Sequence, residues 1–145
     1  ESLDWHLLQY PVHATLQRWV EDLNKIYRGE SALHELDFDP GGFEWIDCND
    51  HLHGVLTLMR KGHSENDMII VACNFTPVPR LGYRVGVPRS GYWREILNSD
   101  AKEYGGSGLG NLGGVEASPI PFHGRPHSLN LTLPPLAVVF LKTEG

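Results

Sequence analysis

The periodicity of apolar residues changes once along this chain, and that change limits the fold more than any single motif. Up to about residue 36 the apolar positions recur at helical spacing. Val12, Leu16, Trp19, Val20, Leu23, Ile26 and Tyr27 form one stripe, with Gln17, Arg18, Glu21, Asp22 and Lys25 opposite. From Phe43 onward they come in short alternating or continuous runs, broken by Gly, Pro, Asn and Asp. The stretch His34 to Asp47 is therefore read as the junction of a helical segment and a β domain.

Before the junction, Ser2 caps a short expected helix through Leu3, Leu7 and Leu8, which Pro11 stops. The amphipathic helix Val12 to Tyr27 ends at Gly29, and a short helix spans Ser31 to Leu36. After it, strands are expected at Phe43–Cys48, Val55–Arg60, Met68–Phe75, Tyr83–Val87, Tyr92–Leu97, Val115–Ala117, Ser128–Leu133 and Leu136–Leu141. Met68 to Phe75 is apolar almost throughout, which suits a central strand buried on both faces. Lys61 to Asp67 reads as a polar hairpin loop, and Gly105 to Gly114 as a long Gly-rich loop. About eight strands at this spacing predict an antiparallel β-sandwich. A chain of 145 residues can bury roughly two-thirds of its unfolded surface, enough for a core.

A net charge of −6 with no basic run gives no field suited to nucleic acid or an anionic membrane. No segment has the ~18 apolar residues of a membrane span, and the N-terminus lacks the basic and apolar regions of a signal peptide. The expectation is a soluble, cytoplasmic chain, with Cys48 and Cys73 as reduced thiols.

Several strings imitate active sites. Gly108 to Gly113 matches G-x-G-x-x-G, but no buried strand precedes it and no helix follows, so it reads as loop rather than dinucleotide site. His51 with His53, and His123 with His127, offer two ligands each, short of the three a catalytic zinc requires; no metal or other cofactor is expected. Glu35, Asp37, Asp39, Glu44 and Asp47 are dense carboxylates, better explained by caps and turns than by catalysis. Asn74-Phe75-Thr76 and Asn130-Leu131-Thr132 are formal glycosylation acceptors, discounted in strand context.

The strings Ser2 to Leu8, His34 to Asp47, Asn74-Phe75-Thr76-Pro77, Gly91 to Asn98, His123 to Leu129 and Leu131 to Ala137 together resemble the end of bacterial 1,4-alpha-glucan (glycogen) branching enzymes, in the alpha-amylase superfamily. The resemblance implies residues 1–36 as the helical tail of a catalytic (β/α)8 barrel and 37–145 as an alpha-amylase-type all-β C-terminal domain. It implies a parent enzyme that cuts an alpha-1,4 chain and transfers it to a 6-hydroxyl through a covalent glycosyl-enzyme. That family's catalytic carboxylates lie on earlier barrel strands, so none is carried onto this chain, and the chain alone is expected to be inactive. Glycogen or linear maltooligosaccharide, and the barrel of the same parent, are the implied partners.

Aromatic rings beside polar groups suit the C–H faces and hydroxyls of a glucan. The candidates for substrate binding are Trp45, Trp93, Tyr92 and Trp5. The alternatives are a non-catalytic carbohydrate-binding β module and a purely structural domain of another alpha-amylase superfamily enzyme. The stripe from Val12 to Tyr27 is expected either to fold back on the sandwich or to drive self-association.

Overall fold

The computed structural model describes residues 21–22, 25–34, 42–50, 52–64, 66–101 and 108–144. The helix at Ser2–Leu8, most of the Val12–Tyr27 helix, residues 35–41 and residues 102–107, with the start of the Gly-rich loop, lie outside them. Residues 25–29 are helical, and α1 follows at Ser31–His34. The strands are β1 (Phe43–Asp50), β2 (Val55–Lys61), β3 (Met68–Asn74), β4 (Arg80–Val87), β5 (Tyr92–Asn98), β6 (Gly114–Glu116), β7 (His127–Leu133) and β8 (Ala137–Thr143).

Six of them form one antiparallel sheet in the order β1-β2-β3-β8-β5-β6, and β4 pairs with β7 in a second. β1, β2 and β3 are successive hairpins. Beyond them the chain alternates between sheets, so β4 meets its partner β7 only after β5 and β6 have been laid down, with Val85 opposite Leu129 and Val87 opposite His127.

The inner face of the large sheet contributes Val55, Met59, Ile70, Trp93, Val139 and Leu141 to the main core; the small sheet contributes Val85, Val87, Leu129, Leu131 and Leu133. Side chains on a strand alternate between faces, so the neighbours of these residues point outward. On β3 and β8 those neighbours are apolar too: Ile69, Val71, Val138 and Phe140 make a second cluster with Ala32, Leu33 and Ile26. The helical segment thus covers the outer face of the large sheet. Arg60 donates to the Leu33 carbonyl at 2.9 Å and Lys142 pairs with Glu30 at 2.6 Å, fixing the helical segment on the sheet. β3 is therefore buried on both faces, as its uninterrupted apolar run requires. Of the long stripe, Ile26 is folded against the sheet while Tyr27 remains half-exposed.

β4 begins three residues earlier than the pattern suggests. Gly82, at φ 68°, sits within a register shift between Arg80 and Tyr83, so the strand passes through a glycine that looks like a breaker. Gly86 is required for a different reason. A Cβ there would run into the carbonyl of Phe122, so only glycine lets the 122–125 turn lie against β4.

Candidate functional site

Trp45 lies on β1 opposite Leu58, and Phe43 opposite Arg60. Leu58 and Arg60 both belong to the face that carries the helical segment, so Phe43 and Trp45 stand on that same face at its open edge. Trp45 is 47% exposed, and Phe43 packs its ring edge-on against it with centroids 5.1 Å apart. Between them Glu44 points the other way, where Lys61 donates to it at 3.1 Å and Arg125 donates to its second oxygen. Two cations on one carboxylate anchor the edge strand to β2 and to the 122–125 turn, and so hold the two rings outward. Burial pushes the Glu44 carboxyl up, but hydrogen bonds and charge from Lys61 and Arg125 outweigh it and leave the group below its ordinary value.

Tyr92, the first residue of β5, is 41% exposed, with its ring over Gly114 of β6. It stands at the far side of the large sheet, four strand spacings from β1, or about 19 Å. The structure therefore does not bring Trp45 and Tyr92 into one stacking platform.

Trp93 is corrected by the structure: it is 0% exposed and lies in the inter-sheet core. The cause is the alternation along β5, where Tyr92 and Arg94 take the outward positions and Trp93 the inward one. Its indole N–H donates to the Arg89 carbonyl at 3.4 Å, so it has no free face for a sugar. Trp5 lies outside the described residues.

The G-x-G-x-x-G string leads into β6 and not into a helix. Asn111, buried, ties it down by donating to Glu95 and accepting from the Thr132 amide at 2.7 Å. His123 is committed to local contacts: its Nδ1 accepts the Gly86 amide at 3.0 Å and its Nε2 faces Asp47 at 3.4 Å.

Sequence reasoning missed a convergence. Groups distant in sequence, Asp47, Asp50 and His53, Pro79 to Arg84, and Phe122 with His123, line one cleft of about 630 Å³ between β1 and β4. At its centre Asp50 accepts from the Tyr83 hydroxyl at 2.5 Å and from His53 Nδ1 at 2.9 Å. Burial raises the Asp50 carboxyl, yet the Tyr83 and His53 hydrogen bonds hold it below its ordinary value, and burial with the Asp50 contact pushes the Tyr83 phenol far up. A carboxyl depressed in the folded state stabilises the fold above its unfolded pKa of about 4, and that contribution is lost as pH falls through the folded value. Protonation of Asp50 and of Glu44 in acid therefore each removes stability from the fold.

The fold is that of an all-β domain with a helical segment on one face. The chain belongs to the family described as alpha amylase, C-terminal all-beta domain, whose profile matches residues 45–144. It is 64% identical over 144 residues to the 1,4-alpha-glucan branching enzyme of Aquifex aeolicus, matching 99% of this chain and 23% of that protein. The branching enzyme of Aromatoleum aromaticum is 58% identical over 99% of this chain and 22% of its own length, and that of Thermosynechococcus vestitus 52% over 99% and 19%. The chain spans less than a quarter of the length of the curated relatives it matches. Among the described residues no helix is long and apolar enough to cross a membrane.

Proposed function

We propose that this chain serves as the C-terminal part of a cytoplasmic 1,4-alpha-glucan branching enzyme, supporting its catalytic barrel and holding glucan at the Phe43–Trp45 edge. The observation that carries the assignment is the match to named branching enzymes along 99% of the chain. In this reading residues 1–36 are the tail of the barrel and 37–145 the β domain that docks on it. The covered outer face supports the arrangement, since Ile26, Ala32 and Leu33 pack there. A second copy of the chain is the alternative partner for the apolar stripe that starts at Val12.

The chain alone is inactive in this reading. Retention needs one carboxylate free to attack and a second free to exchange a proton, about 5 Å apart. Asp50 is occupied by Tyr83 and His53, and Glu44 by Lys61 and Arg125. The role left to this domain is to hold substrate. An exposed indole with an aromatic neighbour presents a flat apolar face to a pyranose ring, and both rings are positioned by the strand before any ligand arrives.

Titration with maltoheptaose, followed by tryptophan fluorescence, tests the glucan-holding part. Saturable quenching is expected, with affinity at least about fivefold weaker in Trp45→Ala, equivalent to roughly 1 kcal/mol of lost stacking. Equal affinity in the two proteins would remove Trp45 from the site.

A further inference from the structure

We propose that the cleft between β1 and β4 is a second carbohydrate site, distinct from the Trp45 edge, which takes a pyranose unit of a neutral glucan chain. The proposal rests on the reading of this chain as a glucan-handling domain, but on different residues.

Its size, about 630 Å³, falls within the range of small-molecule sites. The walls are of two kinds. Pro79, Leu81 and Phe122 supply apolar surface, and Phe122 is 42% exposed with its ring edge-on to His123, centroids 4.5 Å apart. The remaining walls are polar, and their charges cancel: Asp47 and Asp50 face Arg80 and Arg84. A phosphate or carboxylate ligand would meet the two aspartates, and a cation would meet the two guanidinium groups. An apolar ligand would strand all four. The occupant that suits such a cleft is uncharged, rich in hydroxyls and apolar on one face, which describes a pyranose.

The hydrogen-bonding capacity left over fits the same ligand. Asp50 accepts from both Tyr83 and His53, and a carboxylate keeps further lone pairs for a ligand hydroxyl. Tyr83 spends its hydroxyl proton on Asp50 and keeps lone pairs on the same oxygen. On the donor side, the side chains of Arg80 and Arg84 line the same cleft. Carboxylate acceptors and guanidinium donors in one cleft with an apolar wall match hydroxyls that each donate and accept.

The cleft is also built before a ligand arrives. Asp50 orients both Tyr83 and His53, with the His53 amide adding a third bond at 3.2 Å. Gly86 admits the 122–125 turn, and His123 holds a left-handed backbone, φ 51°, that non-glycine residues seldom adopt. Fixed groups lose little freedom on binding.

The test is a two-dimensional amide NMR titration of the whole chain with maltoheptaose to about 10 mM, a range that captures weak sugar sites. Mannitol, a linear polyol with no ring face, serves as the control. The expected result is saturable shifts at Gly82, Tyr83 and His123 with maltoheptaose and none with mannitol. Affinity at these amides should fall at least about fivefold in Phe122→Ala and in His53→Ala, and stay unchanged in Trp45→Ala. The spectra themselves report whether each variant is folded. Shifts confined to residues 43–45 would overturn this proposal and leave the Trp45 reading standing. Cleft shifts with a silent Trp45 edge would do the reverse, and silence at both would overturn both. Equal response to mannitol would overturn the pyranose assignment.

Discussion

Replacing Asn74 by Ala should lower the unfolding free energy by about 3–4 kcal/mol, the larger of the polar effects expected in this domain. Asn74 ends β3, is 2% exposed, and uses every hydrogen-bonding group of its side chain. Its Nδ2 donates to the carbonyls of Val78 at 2.9 Å and Pro134 at 3.0 Å. Its Oδ1 accepts from the Thr76 amide at 3.0 Å and the Thr76 hydroxyl at 2.8 Å. Three chain segments are therefore joined at one amide: the end of β3, the 75–79 loop and the turn before β8. Truncation leaves buried carbonyls and an amide without partners, which costs more than the bonds themselves contribute net. Asn74→Asp should be no better, because it keeps the acceptor for Thr76 but sets a carboxylate oxygen against two carbonyls. Urea denaturation followed by tryptophan fluorescence measures both; a loss below about 1 kcal/mol for Asn74→Ala would contradict the role assigned. The same burial explains why Asn74-Phe75-Thr76, a formal glycosylation acceptor, has no side chain to offer in the folded protein.

Trp93→Ala should cost about 3–5 kcal/mol and lower the melting temperature by on the order of 10 °C. Among the described residues the indole is the largest fully buried side chain, in the inter-sheet core that also holds Val85, Leu131 and Leu141. Removing it leaves a cavity that strands on both sides cannot close, and it removes the indole N–H contact to the Arg89 carbonyl. Trp93→Phe keeps most of the volume and should cost about 1–2 kcal/mol. Calorimetry gives the stability, and a maltoheptaose titration well below the melting temperature gives the function. The folded variant should bind glucan as the parent chain does. A stable Trp93→Ala protein with weakened glucan affinity would return Trp93 to the binding surface.

Most of the β architecture was legible in the alternation of apolar residues. Met68 to Phe75 announced a strand buried twice over, and the alternation from Ser128 to Leu133 matched β7, where only Asn130 is exposed. The distribution of strands between two sheets was not legible. The pairing of β4 with β7 depends on which apolar face each strand turns inward, and nothing local encodes a partner more than forty residues away. The two tryptophans show the same limit at a single position. Trp93 could have been placed inside from Arg94, which marks the outward positions of β5 as Tyr92 and itself. The corresponding argument fails on β1: Glu44 shares the inward side with Ile46, because Lys61 and Arg125 neutralise it there. The β1–β4 cleft was hidden for a third reason. His53 and His123 read as members of two separate histidine pairs and Tyr83 as the start of a strand, and only the closing of the sandwich brings them to one carboxylate pair.

The most direct measurement exchanges this chain for the corresponding C-terminal segment of the Aquifex aeolicus branching enzyme and assays the hybrid for new alpha-1,6 linkages, read from the anomeric proton signals of the product. With 64% identity along the exchanged segment, the helical segment and the sheet face under it should meet the rest of the relative as its own segment does, leaving the Phe43–Trp45 edge open to glucan. The account predicts branching by the hybrid within about tenfold of the intact relative, about 1.4 kcal/mol in transition-state terms, and none by this chain alone. A folded hybrid that forms no branches, or branching by the isolated chain, would contradict it.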